Sequence, residues 1–167
     1  LATHPEGQYA QPGFGLKPFS PSIRWNWVPA RDLHDGTEVW VPSDLVYSPK
    51  PTIAETNSTG IGSGPSPAWA QLSGLMELIE RDLFCHAWWT KAGLRRLDLD
   101  SLPPDFREEL RSALGSMWDH IEVGVGWMDL GVPVFVGTFL GNSESSPRFT
   151  VAASASLSPR YGLRKAL

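Results

Sequence analysis

Cysteine is nearly missing from this chain. Cys85 is the single one in 167 residues, so no internal disulfide can form, and one thiol fits a reducing compartment. Histidine is also scarce: His4, His34, His86 and His120 are scattered, without the ligand spacing of a zinc site. Basic charge is in slight deficit, 14 Lys+Arg against 18 Asp+Glu. That balance lacks the electrostatic footprint of a nucleic-acid or anionic-membrane binder. No apolar run approaches the length of a membrane-spanning helix, and Leu1 to Gln11 contain no apolar stretch of the signal-peptide kind. What is abundant is hydrophobic content, 41% against 19% charged, together with 15 prolines, 16 glycines and eight tryptophans. Such a composition belongs to a globular chain with many turns.

Residues 1–30 show no clear period and read as an irregular lead-in of extended or loop structure. Leu33 to Val46 reads as a hairpin turning at Asp35-Gly36, with Pro42 ending its strand or placing it at an edge. A stretch rich in Pro, Ser, Thr and Gly follows, from Ser48 to Ser66. Ser66-Pro67 then has the form of a helix start, a capping hydroxyl followed by proline in the first turn. The spacing predicts a helix to about Trp89, with Leu72, Leu75, Met76, Ile79 and Leu83 on an apolar stripe. Ser73, Glu77, Glu80 and Arg81 fall on another face, flanked by the small residues Ala70 and Gly74. A second amphipathic helix is expected over Pro104–Trp118, with Phe106, Leu110, Leu114 and Met117 inward. Arg107, Glu108 and Arg111 form its wet side.

Alternation over Ile121–Trp127, an apolar run over Val132–Leu140 and a shorter segment at Phe149–Ala153 predict three strands. Ser158-Pro159 repeats the capping device and opens a last helix. The fold class expected is α+β: a mixed or antiparallel sheet with helices packed on it.

Two elements could carry chemistry. Glu77 and Glu80 lie one helical turn apart, a spacing at which two carboxylates can share a hard cation. The same spacing suits a solvated face, because Glu77 and Arg81 form a good i,i+4 ion pair. Upstream, Thr59-Gly60-Ile61-Gly62-Ser63-Gly64 could offer backbone N–H groups to phosphate. It could equally use its glycines only for a tight turn. The pattern is neither the Walker loop nor the dinucleotide fingerprint. Cys85 and His86 are adjacent on a helix, point about 100° apart and do not make a nucleophilic pair; Cys85 is expected to be a small buried residue.

Taken together, the run Thr56-Asn57-Ser58-Thr59-Gly60-Ile61-Gly62-Ser63-Gly64-Pro65-Ser66 and the helix Leu75-Met76-Glu77-Leu78-Ile79-Glu80-Arg81-Asp82 resemble the YcaO family. The likeness extends over about residues 20–167. It takes in the hairpin from Asp32 to Val46, the strands at Glu122-Val123-Gly124 and Gly131-Val132-Pro133-Val134, and Ala152 to Leu167. This family shows a Ser-Asn-Gly-Leu-Ala-Ala-Gly turn leading into a Leu-Leu-Glu-Leu-Ile-Glu-Arg-Asp helix. The chain departs from the pattern at Thr59, where Asn is usual, at Pro65, where Asn is frequent, and at Trp69, where Glu is frequent.

The resemblance implies a partial YcaO-like domain over 1–167, with 31–167 as its core segment. It implies an ATP- and Mg²⁺-dependent enzyme that phosphorylates a backbone amide, as in azoline formation from Cys, Ser or Thr of a ribosomally made peptide. The alternative it leaves open is a non-catalytic docking or scaffold protein of the same fold. By position, Glu77 and Glu80 match magnesium-binding acids, and Arg81 matches an arginine near the phosphates. Asn57, Ser58, Gly60 and Gly62 would lie beside the nucleotide. The implied partners are a precursor peptide and a leader-peptide-binding domain or protein, with room for a homodimer, in the cytoplasm. The family's first acidic motif and its Glu-x-x-x-Gln motif are expected upstream of Leu1 and beyond Leu167. On that reading the chain is a piece of a longer protein, truncated at both ends and inactive alone.

Overall fold

The computed structural model describes residues 4–47, 52–55, 57–141 and 148–167. Thr56 of the turn motif and part of the Ser48–Ser66 stretch lie outside them. The chain divides into two compact units, Leu1–Ser58 and Thr59–Leu167.

Among the described residues, the first unit holds a short helix, α1 (Glu6–Tyr9), an antiparallel hairpin of β1 (Trp27–Arg31) and β2 (Glu38–Pro42), and a 3-10 turn at Ser43–Leu45. The hairpin is present as the sequence suggests, but its first strand begins at Trp27, inside the stretch expected to be irregular. Its turn is closed by side chains. The Asp35 carboxylate accepts from the Thr37 N–H at 2.9 Å, and the Asp32 carboxylate accepts from the His34 N–H at 2.7 Å. Pro42 ends β2 opposite Trp27, where a missing donor costs little.

The second unit is a four-stranded antiparallel sheet with helices on both faces. Its strands run in the order β3 (Arg95–Arg96), β4 (Ile121–Gly126), β5 (Val134–Leu140) and β6 (Phe149–Ala155). Helix α2 (Pro67–Thr90) packs on one face, where Ile79 and Leu83 meet Val132, Val134 and Ala155. Helices α3 (Pro104–Leu114) and α4 (Pro159–Ala166) close the other. There Phe106, Leu110 and Leu114 pack with Val123, Phe135, Leu163 and Ala166. Strand alternation explains the split: Val134 and Phe135 are neighbours in β5, and each faces a different helix layer. Gly137 allows α4 to lie close, since a methyl there would strike the Ala166 carbonyl. Arg160 ties the two outer helices together by bonding to Asp105 at 3.0 Å and Glu109 at 3.3 Å.

Three sequence expectations are corrected. Leu72 and Leu75 are exposed rather than buried, so the inward face of α2 narrows to Ile79 and Leu83 with Met76 beside them. Helix α3 ends at Leu114, because Gly115 at φ 54° breaks it into a 3-10 segment. That change of pitch leaves Met117 exposed and puts Trp118 into the core in its place. Cys85 is exposed.

We expect Leu110→Ala to lower the unfolding free energy by about 2–5 kcal/mol, and Leu72→Ala to change it by less than about 0.5 kcal/mol. Urea denaturation of the two variants checks both values. A large loss at Leu72 would mean that its side chain is covered.

Candidate functional site

Helix α2 starts where its capping chemistry places it. The Ser66 hydroxyl accepts from the Trp69 N–H at 3.3 Å and Pro67 occupies the first turn. The helix ends at Lys91, which takes a left-handed conformation at φ 58°. Over its 24 residues it carries Glu77, Glu80 and Arg81, and Glu80 reaches the end of β6 and Lys165 of α4.

The glycine turn lies flat on this helix. A methyl added at Gly62 would strike the Ala70 carbonyl, and one at Gly74 would crowd the Gly60 carbonyl. Gly60 itself sits at φ 82°. Here the glycines permit close contact between two backbones. Glu77 completes the junction. Its Oε2 accepts from the Gly60 N–H at 3.0 Å, and its Oε1 accepts from Arg81 Nε at 2.9 Å. Both oxygens of Glu77 are therefore engaged, one by the turn and one by its own helix.

Glu80 stands in a different environment. It lies between α2, the end of β6 and α4. Burial pushes its carboxyl above the ordinary glutamate value. Lys165 of α4 and the Ala155 N–H pull it partly back, and the neighbouring Glu77 adds to the rise. A half-buried carboxylate with too little compensating charge is a fitting donor for a cation. Among the described residues, no three His, Cys, Asp or Glu side chains converge as a metal site. A Mg²⁺ ion held by one or two carboxylates and completed by phosphate oxygens does not need three protein acids. The residues present fit such an ion, with Glu80 as the better-placed donor and Glu77 as its neighbour.

Of the residues named from the sequence, the structure brings Gly60, Gly62, Glu77 and Arg81 together where the turn meets α2 and sets Glu80 apart, toward Ala155 and Lys165. Asn57 and Ser58 close the first unit with exposed side chains. Two features were missed. Lys165 faces Glu80 from another helix, and nothing local in the sequence signals that meeting. An open groove of about 490 Å³ is walled by Trp69, Leu72, Met76, Leu157 and Tyr161, with Ala155 and Lys165, the neighbours of Glu80, also lining it. Leu72 is exposed because it faces this groove. Trp69, at the position where the family carries an acid, supplies part of the groove's apolar wall.

We expect Glu77→Ala to free the Gly60 N–H and speed its hydrogen exchange, while amides of β4 and β5 keep their protection. Exchange followed by NMR or mass spectrometry checks this. An unchanged Gly60 amide would show that the carboxylate does not hold the turn.

Comparison with known proteins agrees with this geometry. A sequence profile described as YcaO cyclodehydratase, ATP- and Mg²⁺-binding, matches residues 1–167. No match was found among curated protein sequences. Among solved structures, the chain is similar to a heterocyclase in complex with substrate and cofactor, at 26% identity and a TM-score of 0.78 over 96% of this chain and 24% of that one. It shares the fold of the heterocyclase TruD, at 24% identity and a TM-score of 0.74 over 96% of this chain and 26% of that one. It also shares the fold of YcaO from Methanopyrus kandleri bound with AMPPCP and Mg²⁺, at 23% identity and a TM-score of 0.71 over 90% of this chain and 41% of that one. The chain thus spans between a quarter and two fifths of the length of these proteins. With the profile covering every residue, and with the turn, the acid helix and the sheet in the arrangement described, the chain belongs to the YcaO family.

Proposed function

We propose that this chain is part of an ATP- and Mg²⁺-dependent enzyme that activates backbone amides of a ribosomally made precursor peptide by phosphorylation, leading to azolines at Cys, Ser or Thr. The single observation that carries this reading is Glu80, a half-buried carboxylate beside a groove, with Arg81 and Lys165 as nearby cations. Bound ATP and Mg²⁺ would supply the phosphoryl group that turns an amide oxygen into a leaving group. The protein's part is then positional. Glu80 holds the cation. Arg81 and Lys165 offer positive charge to phosphate oxygens. Glu77 keeps the Gly60–Gly64 turn seated on the helix, so that its backbone stays fixed while ligands come and go. Asn57 and Ser58, just before that turn, would contact the nucleotide, together with Gly60 and Gly62. The groove offers apolar surface to a ligand beside the charged groups.

The structural neighbours support the reading by what they hold: one carries substrate and cofactor, another AMPPCP and Mg²⁺. We place 1–167 within a longer YcaO-like domain. Its companions would be a precursor peptide and a leader-peptide-binding domain or protein, with a homodimer as the assembly. An ATP-consuming role and a lone thiol suit the cytoplasm. Among the described residues, no helix is long and apolar enough to cross a membrane.

One observation favours a second reading, a docking protein that has given up nucleotide. Trp69 stands where the family carries an acid, and it turns that part of the wall apolar. Calorimetric titration of ATP–Mg²⁺ into the full-length protein separates the two. We expect saturable binding in the wild type, at least a tenfold loss in Glu80→Ala, and an unchanged melting temperature for that variant without ligand, within about 3 °C. No binding in a folded wild type would support the docking reading instead.

A further inference from the structure

The edge of the sheet nearest the site is open. β6 pairs with β5 on one side, and among the described residues no strand pairs with the other. The direction of its backbone groups can be read from its ends. The Gly141 N–H donates to the Arg148 carbonyl at 3.1 Å, and the Ser156 N–H donates to the Pro133 carbonyl at 3.3 Å. Even-numbered residues therefore turn their backbone groups toward β5. Phe149, Val151, Ala153 and Ala155 turn theirs to the open side. Glu80 takes the Ala155 N–H. Those of Phe149, Val151 and Ala153 have no hydrogen-bond partner among the described residues.

Helix α2 runs alongside this edge, and the seam between them has a recess at each end. At one end Phe84, Trp88 and Trp89 face Phe149 and Val151 around about 190 Å³. At the other is the groove of Trp69, Leu72, Leu157 and Tyr161. Between the recesses β6 carries only small side chains, Ala152, Ala153, Ser154 and Ala155, and this is where Glu80 reaches the strand. The first recess has no charged residue, and the second has only Lys165. An unpaired edge of this kind is a template for an added strand, and strand addition takes affinity from main-chain bonds and selectivity from alternate side-chain pockets.

We propose that an extended peptide binds as a further strand on β6, with apolar side chains in the two recesses and an amide between them presented at Glu80. The choice of a peptide rests on the peptide-modifying function proposed above. Walls that are mostly apolar, with Lys165 the one charged residue among them, select apolar residues on either side of the amide. The small residues at the middle of β6 leave room for the peptide backbone to come close.

The test uses the full-length protein without nucleotide and a fluorescein-labelled ten-residue peptide of alternating Val and Ser. A twin peptide is N-methylated at alternate amides, which removes the donors a strand needs. We expect the parent peptide to bind and the twin to bind at least tenfold more weakly. Ala153→Pro should weaken the parent peptide to a similar degree and leave the sheet folded, because its N–H points away from β5. Equal binding of twin and parent would overturn the proposal, as would no binding at all. Protection of the Val151 and Ala153 amides from exchange in the free protein would also overturn it, by showing that the protein's own chain already fills the edge. Strand-like peptide binding without ATP binding would sink only the ATP-dependent function. ATP binding with no preference for the parent peptide would sink only the strand addition.

Discussion

The seating of the glycine turn on α2 is the constraint from which the rest of the site follows. Two backbones approach so closely at Gly62 and Gly74 that neither position accepts a methyl group. The Gly60 N–H that this approach turns inward is taken by Glu77. With Arg81 on its second oxygen, Glu77 has its charge matched and its geometry fixed. The one-turn spacing that first suggested a shared cation therefore separates two duties. Glu77 organises the turn, and Glu80, one turn further on, is left half-buried with its charge only partly matched.

That asymmetry is an effect of the sheet. β6 ends beside Glu80, and α4 returns beneath it to deliver Lys165. Burial raises the carboxyl, and Lys165, the Ala155 N–H and Arg81 together do not restore it. An acid kept in such a place is poised for a cation, or for a ligand that brings one. The open groove beside it offers exposed apolar side chains, Trp69, Leu72, Leu157 and Tyr161. Charge and apolar surface come from different elements, and the packing of α2 and α4 across the end of β6 brings them together.

Much of this was legible in the residues. Ser66-Pro67 and Ser158-Pro159 marked both helix starts, because capping is local chemistry. The strand patterns at 121–126 and 134–140 were readable because each alternates or runs apolar over a strand's length. The pairing of Glu77 with Arg81 followed from helical spacing alone. Other features depend on what lies opposite. Leu72 and Leu75 have the period of a buried stripe, yet Leu72 faces a groove. Met117 has the helical spacing of a core residue, but Gly115 changes the pitch before it and Trp118 is buried instead. Lys165 meets Glu80 only after the chain has passed through four strands, β3 to β6, so no local pattern in the sequence announces it.

The central claim is that Glu80 is the acid that carries the cation. A crystal of the full-length protein grown with a non-hydrolysable ATP analogue and Mn²⁺ in place of Mg²⁺ tests it most directly. The account predicts an anomalous peak within coordinating distance of the Glu80 carboxylate, bridging to phosphate oxygens. An analogue bound with its manganese ligated elsewhere, and Glu80 still paired only with Lys165 and the Ala155 N–H, would contradict it.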